Sequence, residues 1–188
     1  MDKKQLIIDS TVKVFSEKGV ENTKISDIVK EAGIAQGTFY LYFPSKFSVM
    51  PEIAKLVVSM IIEEVDKNVN LTSRFQDQLE QLISAVFTLT DKKSKLFTLL
   101  YAGLSQSEHL KQWEDIYAPF YKWMFEFLER AKQNGDIRKD INSARTAKLM
   151  IAIIESTAEQ LYLYDESTAE EIELQFKELL SFVYNALN

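Results

Sequence analysis

Two sets of side chains in this sequence are candidates for chemistry: the groups that titrate, and a short polar run near the amino end. The first set yields little. The only histidine, His109, sits in Ser107-Glu108-His109-Leu110 without partners at helical spacing, so neither a metal site nor a catalytic base is built around it. Glu63-Glu64, Asp165-Glu166 and Glu170-Glu171 are adjacent acids, and adjacent residues do not face each other on a helix, so paired-carboxylate catalysis is unsupported. There is no cysteine, hence no disulfide, thiolate nucleophile or zinc–thiolate site. No glycine-rich phosphate loop, G-x-S-x-G or HExxH run occurs. The expectation is a non-enzyme with no cofactor and no metal.

The polar run is Gly33-Ile34-Ala35-Gln36-Gly37-Thr38-Phe39-Tyr40-Leu41-Tyr42-Phe43-Pro44-Ser45-Lys46. Phe39 and Phe43 are four apart and anchor one side of a helix, while Gln36, Gly37, Tyr40 and Leu41 project from the other. Glycine destabilises a helix relative to alanine. Gly37 therefore fits close approach to another surface, DNA being the obvious one, or a small core helix that tolerates it.

The elements that must position this run are helical. Ile25, Ile28, Val29 and Ala32 share an apolar face of a helix predicted from about Lys24 to Ala32, with Thr23 as N-cap and Gly33 as its end. A second helix fits Ala35 to Tyr42 and is stopped by Pro44, completing a helix-turn-helix pattern. A preceding helix, about Lys3 to Lys18, braces the pair. Ser45, with Ser48 three residues on, caps a fourth helix from about Lys46 to Asn68, where Pro51 lies in the first turns or kinks it.

The remaining chain reads as helices at about 73–89, 92–105, 108–134, 143–164 and 168–187. Thr72 or Ser73 caps the first of these, and Thr90-Asp91 ends it. Pro119 should end or bend the third. No strand-length alternation, repeat or low-complexity run appears. The fold class is all-α, with about nine helices.

The polar run, together with Phe15, Gly19, Thr23 and Asp27-Ile28, closely resembles the signature of TetR-family transcriptional regulators. Two positions depart from it: Ala35 stands where Ser or Thr is frequent, and Leu41 where His or another polar residue is frequent. The resemblance implies a DNA-binding head at residues 1–47 and a ligand-binding and dimerisation body at 48–188. It makes Thr23, Lys24, Ala35, Gln36, Gly37, Thr38, Tyr40, Leu41, Tyr42 and Lys46 the candidate DNA surface. Gln36 and Thr38 are assigned to base edges, Leu41 to a thymine methyl, and Tyr40, Tyr42 and Lys46 to phosphates.

Aromatic residues crowd the segment from Trp113 to Phe127, more than one helix stripe holds. Core packing accounts for most of them. The resemblance implies a ligand cavity in the body, with Phe87, Phe97, Tyr101, Trp113, Tyr117, Phe120, Tyr121, Met124 and Glu155 as its candidate lining. It also places the last two helices in a two-fold, four-helix dimer interface. Ile151, Ile154, Ala158 and Leu161 on one helix, and Phe176, Leu179, Leu180 and Val183 on the other, are the candidates there. A dimer suits the task, because one short helix reads few base pairs and symmetric half-sites double the contacts.

Charge agrees with this division. The net charge is −6, but the first 47 residues are nearly balanced and the acidic excess lies in the remainder. No signal-peptide core follows the charged N-terminus, and no apolar run approaches a membrane span, so a cytoplasmic protein is expected. The reading is a ligand-responsive repressor, released from a palindromic DNA operator by a small apolar or aromatic effector. The alternatives are a helical protein-interaction module without DNA binding, or a small helical enzyme.

Overall fold

The computed structural model describes residues 2–104 and 112–188. Every regular element among them is helical: α1 (Lys3–Lys18), α2 (Ile25–Ala32), α3 (Gln36–Tyr40), a 3-10 turn (Phe47–Val49), α4 (Met50–Asn68), α5 (Phe75–Lys92), α6 (Ser94–Leu104), α7 (Trp113–Asn134), α8 (Ser143–Glu159), a π turn (Gln160–Tyr164) and α9 (Ala169–Leu187). Two compact units result. One takes the chain as far as Val57 and adds Lys95–Ile116; the other joins Val58–Ser94 to Tyr117–Asn188.

In the first unit α1 packs on α2, and α2 on α3. Ile7, Val14 and Phe15 of α1, Ile28 of α2, Phe39 of α3, Phe43 after it, and Met50 and Ile53 of α4 are all buried. Ion pairs Lys13–Glu31 at 2.6 Å and Lys18–Asp27 at 2.7 Å tie α1 to α2 at the surface. The α2 stop works as its sequence implies. Gly33 has φ +64°, its N–H donates to the Lys30 carbonyl, and the Ile34 N–H reaches back to Val29 O at 3.0 Å. This pairing satisfies the last carbonyls of the helix, and only glycine takes the left-handed conformation cheaply.

Three local expectations in this unit change. Thr23 is not the α2 N-cap: Lys24 holds that position, and the Thr23 hydroxyl turns inward to donate to Gly19 O at 2.8 Å. The first turn of α2 is held instead by Asp27, which accepts from the Lys24 N–H at 2.9 Å. The helix expected over Ala35–Tyr42 is shorter, because Ala35 offers no side-chain cap and Leu41 and Tyr42 lie in the closing turn. The helix expected from Lys46 opens as a 3-10 turn. Ser45 and Ser48 bind each other's backbone N–H at 3.2 and 3.1 Å, and Pro51 sits in the first turn of α4, where its missing N–H is tolerated.

In the second unit α5, α8 and α9 pack on one another. Thr90 does not end its helix; its hydroxyl donates to Val86 O at 2.9 Å, and the break falls at Lys93. Arg74, not Thr72 or Ser73, precedes α5 at the cap position. Pro119 lies inside α7 without ending it, and of the helix expected over 108–134 the first residues lie outside the described ones. α8 stops at Glu159, where a π turn with an Asp165 N–H to Gln160 O bond of 3.0 Å takes over.

Truncating Phe39, which is fully buried, leaves a cavity that a five-residue helix cannot close over. Phe39→Ala should cost about 3–5 kcal/mol of unfolding free energy, read as a lowered denaturant midpoint at unchanged slope.

Candidate nucleic-acid interface

The geometry of α3 follows from its two anchors. Phe39 is 0% and Phe43 3% exposed, with ring centroids 5.8 Å apart. Fixing that side inward leaves Ala35, Gln36 and Gly37 outside, together with Tyr40 at 50%, Leu41 at 82% and Tyr42 at 41% exposure. Thr38 is half-buried. A Cβ built on Gly37 meets nothing within 4 Å, so the fold itself does not demand glycine there. Exposed Tyr, Leu and Gln side chains around a bare backbone position form a surface able to meet base edges, thymine methyls and phosphates.

Not every expected residue joins this surface. Lys24 is exposed, but Thr23 is 2% exposed. The Lys46 ammonium turns inward, onto the backbone carbonyls of Val20, Glu21 and Thr23. Nothing in the spacing of the sequence signals that contact, since its partners are backbone atoms more than twenty residues away.

In the second unit the structure gathers only part of the candidate ligand set. Tyr117 donates to Glu155 Oε1 at 3.2 Å, and its ring lies 5.7 Å from that of Tyr121. The Lys148 ammonium stands 4.9 Å from the Tyr121 ring centroid, a cation–π contact the sequence did not suggest. Phe120 and Met124 are core. Phe87 lies in a different ring cluster, edge-on to Phe176 at 5.6 Å and to Tyr162 at 6.0 Å. Phe97, Tyr101 and Trp113 belong to the other unit, where Phe97 is buried and the other two are half-buried. His109 lies outside the described residues.

α7 carries a second, unforeseen polar link. Trp123 donates its indole N–H to Asp66 of α4 at 2.6 Å, and its ring stacks on Phe127 at 5.5 Å, which stacks on Phe75 at 5.7 Å. One helix thus holds α8 through Tyr117 and the body half of α4 through Trp123. Among the described residues, no group of three His, Cys, Asp or Glu side chains is placed to hold a metal ion, and no helix is long and apolar enough to cross a membrane.

The residues expected between copies have two fates. Ile151, Ile154, Ala158, Leu161, Leu179 and Val183 are buried within the single chain. Phe176 and Leu180 are half-buried. The exposed apolar side chains of α8 and α9 are instead Leu149 at 69%, Leu174 at 60% and Phe182 at 59%. Leu149 and Phe182, with Ile141, Met150 and Ile153, line an apolar groove of about 420 Å³.

Glu155 retains some accessible surface but is enclosed by protein. That burial pushes its carboxyl up to about 8; the neighbouring Glu159 carboxylate adds to the rise and the Tyr117 hydroxyl opposes it. The folded chain keeps this proton to near pH 8, whereas the unfolded chain releases it near the ordinary value of 4.5. Between those limits the native state binds more protons, so this group's contribution to stability falls as pH rises. Urea unfolding at a series of pH values should show that decline, and Glu155→Gln, which cannot titrate, should flatten it.

The chain's likeness to known proteins agrees with this geometry. Residues 7–55 match the family model described as bacterial regulatory proteins, tetR family, and residues 79–187 match the tetracyclin repressor-like C-terminal domain. An HTH-type transcriptional regulator of Bacillus subtilis, YvdT, is 36% identical over 98% of this chain and 95% of its own length. The fatty acid metabolism regulator protein of Bacillus subtilis is 25% identical over 85% of this chain and 84% of its own. Among solved structures, the transcriptional regulator FadR of Bacillus subtilis in complex with stearoyl-CoA shares the fold, with a TM-score of 0.77 at 22% identity over 98% of this chain and 99% of that one. Thermus thermophilus FadR in complex with lauroyl-CoA also shares it, with a TM-score of 0.74 at 18% identity over 96% and 92%. A helix-turn-helix that presents the outer side of α3, followed by a body matched along most of its length, places this chain in the TetR family of transcriptional regulators.

Proposed function

We propose that this chain is a cytoplasmic, homodimeric repressor that holds a palindromic operator through the outer side of α3 and releases it when the body binds an apolar effector. The observation that carries the reading is the exposure of Gln36, Gly37, Tyr40, Leu41 and Tyr42 around the buried Phe39 and Phe43. A single chain that only folded would gain by covering Leu41 and by replacing Gly37. Gln36 and Thr38 are assigned to base edges, Leu41 to a thymine methyl, and Tyr40 and Tyr42 to phosphates. Lys24, exposed beside them, adds a phosphate contact.

Two copies are needed because half-sites lie one helical turn apart and the operator mirrors the protein's two-fold axis. A second copy is taken to cover the exposed Leu149, Leu174 and Phe182 of α8 and α9, since the deeper residues of those helices are already packed within the chain. The effector class to try first is a long-chain acyl thioester. The relatives that support it are the fatty acid metabolism regulator and the FadR structures holding stearoyl-CoA and lauroyl-CoA. Release is a population shift: the effector acts only through unequal affinity for the DNA-competent and incompetent dimers. α7 is well placed to sense it, because Tyr117 reaches Glu155 and Trp123 reaches Asp66 of α4 from the same helix.

Selection of bound duplexes from a random pool should return a palindrome with half-sites about ten base pairs apart. On that sequence Gly37→Ala should separate fold from function. It should leave stability unchanged or raise it by up to about 1 kcal/mol, yet weaken operator binding measured by titration, because the added methyl stands where the backbone nears DNA. An operator affinity unchanged by the methyl would place α3 elsewhere. Phe182→Asp should convert the dimer to monomer in sedimentation and lower operator affinity with it; a dimer that survives the substitution would remove this face from the interface.

A further inference from the structure

We infer that Lys46 is a positioning residue, an internal clamp that closes the helix-turn-helix, rather than a ligand for operator phosphate. Its Nζ lies 2.7 Å from Val20 O, 3.0 Å from Glu21 O and 2.8 Å from Thr23 O. An ammonium has three N–H donors and no acceptor. All three are engaged, and the side chain is half-buried beside the Phe47 ring, 5.1 Å from its centroid. Reaching a phosphate would require giving up at least one carbonyl.

The three carbonyls belong to the connector between α1 and α2, and Lys46 stands at the head of α4. One ammonium therefore joins the chain just before α2 to the chain just after α3. The connector needs such donors. Its neighbouring carbonyls are also met by side chains, Lys18 O by Asn22 Nδ2 at 3.3 Å and Gly19 O by the Thr23 hydroxyl at 2.8 Å. Carbonyls left without donors in a partly buried turn are destabilised by lost hydration. With the clamp open, the connector and the start of α4 lose the ammonium that joins them, and α2 keeps only its packing, its end hydrogen bonds and its surface ion pairs to α1. A smaller share of molecules then holds the DNA-competent arrangement, and apparent affinity falls by that share.

The clamp and a phosphate contact predict different outcomes. Lys46→Arg keeps the charge, but its donors lie in a planar fork and cannot meet three carbonyls converging on one point. The clamp predicts that Lys46→Arg and Lys46→Ala both lose about tenfold or more in operator affinity. It also predicts that the slope of log affinity against log salt stays at the wild-type value. A phosphate ligand predicts that Lys46→Arg binds normally and that Lys46→Ala lowers the slope by about 0.9. A third readout is chemical rescue. Lys46→Ala removes the equivalent of n-propylammonium, so added n-propylammonium should restore most of the lost affinity. Tetramethylammonium at equal ionic strength, which cannot donate, should not.

The affinity readouts rest on the operator-binding reading; a second measurement does not. Without DNA, n-propylammonium should raise the melting temperature of Lys46→Ala and leave wild type unmoved. Should wild type select no duplex, the functional reading fails while the melting experiment still decides the clamp. Normal binding by Lys46→Arg, a slope lowered by about one unit in Lys46→Ala, or absence of rescue in both assays would each overturn the inference.

Discussion

The burial of two phenyl rings, Phe39 and Phe43, is the constraint on which the head of this protein depends. α3 is only five residues long and has no side-chain cap, so its own hydrogen bonds cannot hold it. What holds it is one buried apolar edge, Phe39 and Phe43, with α3 packed on α2. With that edge fixed, the rotation of the helix is fixed, and so is the identity of what remains outside. Gln36, Gly37, Tyr40 and Leu41 are exposed because Phe39 is not. The supporting features serve the same end: the left-handed Gly33 sets the angle between α2 and α3, and surface ion pairs to α1 add little beyond orientation.

The second unit is organised differently: α5, α8 and α9 pack on one another, and α7 adds buried side chains and polar links to other helices. The α7 side chains Phe120, Met124 and Phe127 are buried, while its polar atoms reach two other helices. Tyr117 meets the Glu155 carboxyl on α8, and Trp123 meets Asp66 on α4. A carboxyl whose burial keeps it protonated near neutral pH is a poor contributor to stability. Such groups are often retained for what they recognise. Glu155 and Asp66 are thus both held from α7, within the second unit.

α8 and α9 show why an apolar helix does not announce its partner. Each has more large apolar residues than one face can hold. The chain buries one set against its own α5, and leaves Leu149, Leu174 and Phe182 in solvent. Leu149 and Phe182 border one apolar groove, and a joined apolar surface marks interaction sites more often than scattered apolar side chains do.

The sequence by itself determined the helical class, the order of the helices and the character of α3. Those features are local. Gly33, Pro44, the Ser45–Ser48 pair and the Phe39–Phe43 spacing each act within a few residues, and the motif they form is specific to one family. Local rules failed where a side chain had a distant partner. Thr23 is a good cap by type, but it turned to Gly19 O and left the role to Asp27. Lys46 reads as a free cation, but its donors are taken by a connector more than twenty residues away. Pro119 reads as a helix end, but α7 continues through it. The tertiary structure alone decided which of two apolar faces on α8 and α9 is core. Periodicity reveals that a face must be covered, whereas only the arrangement of the other helices determines what covers it.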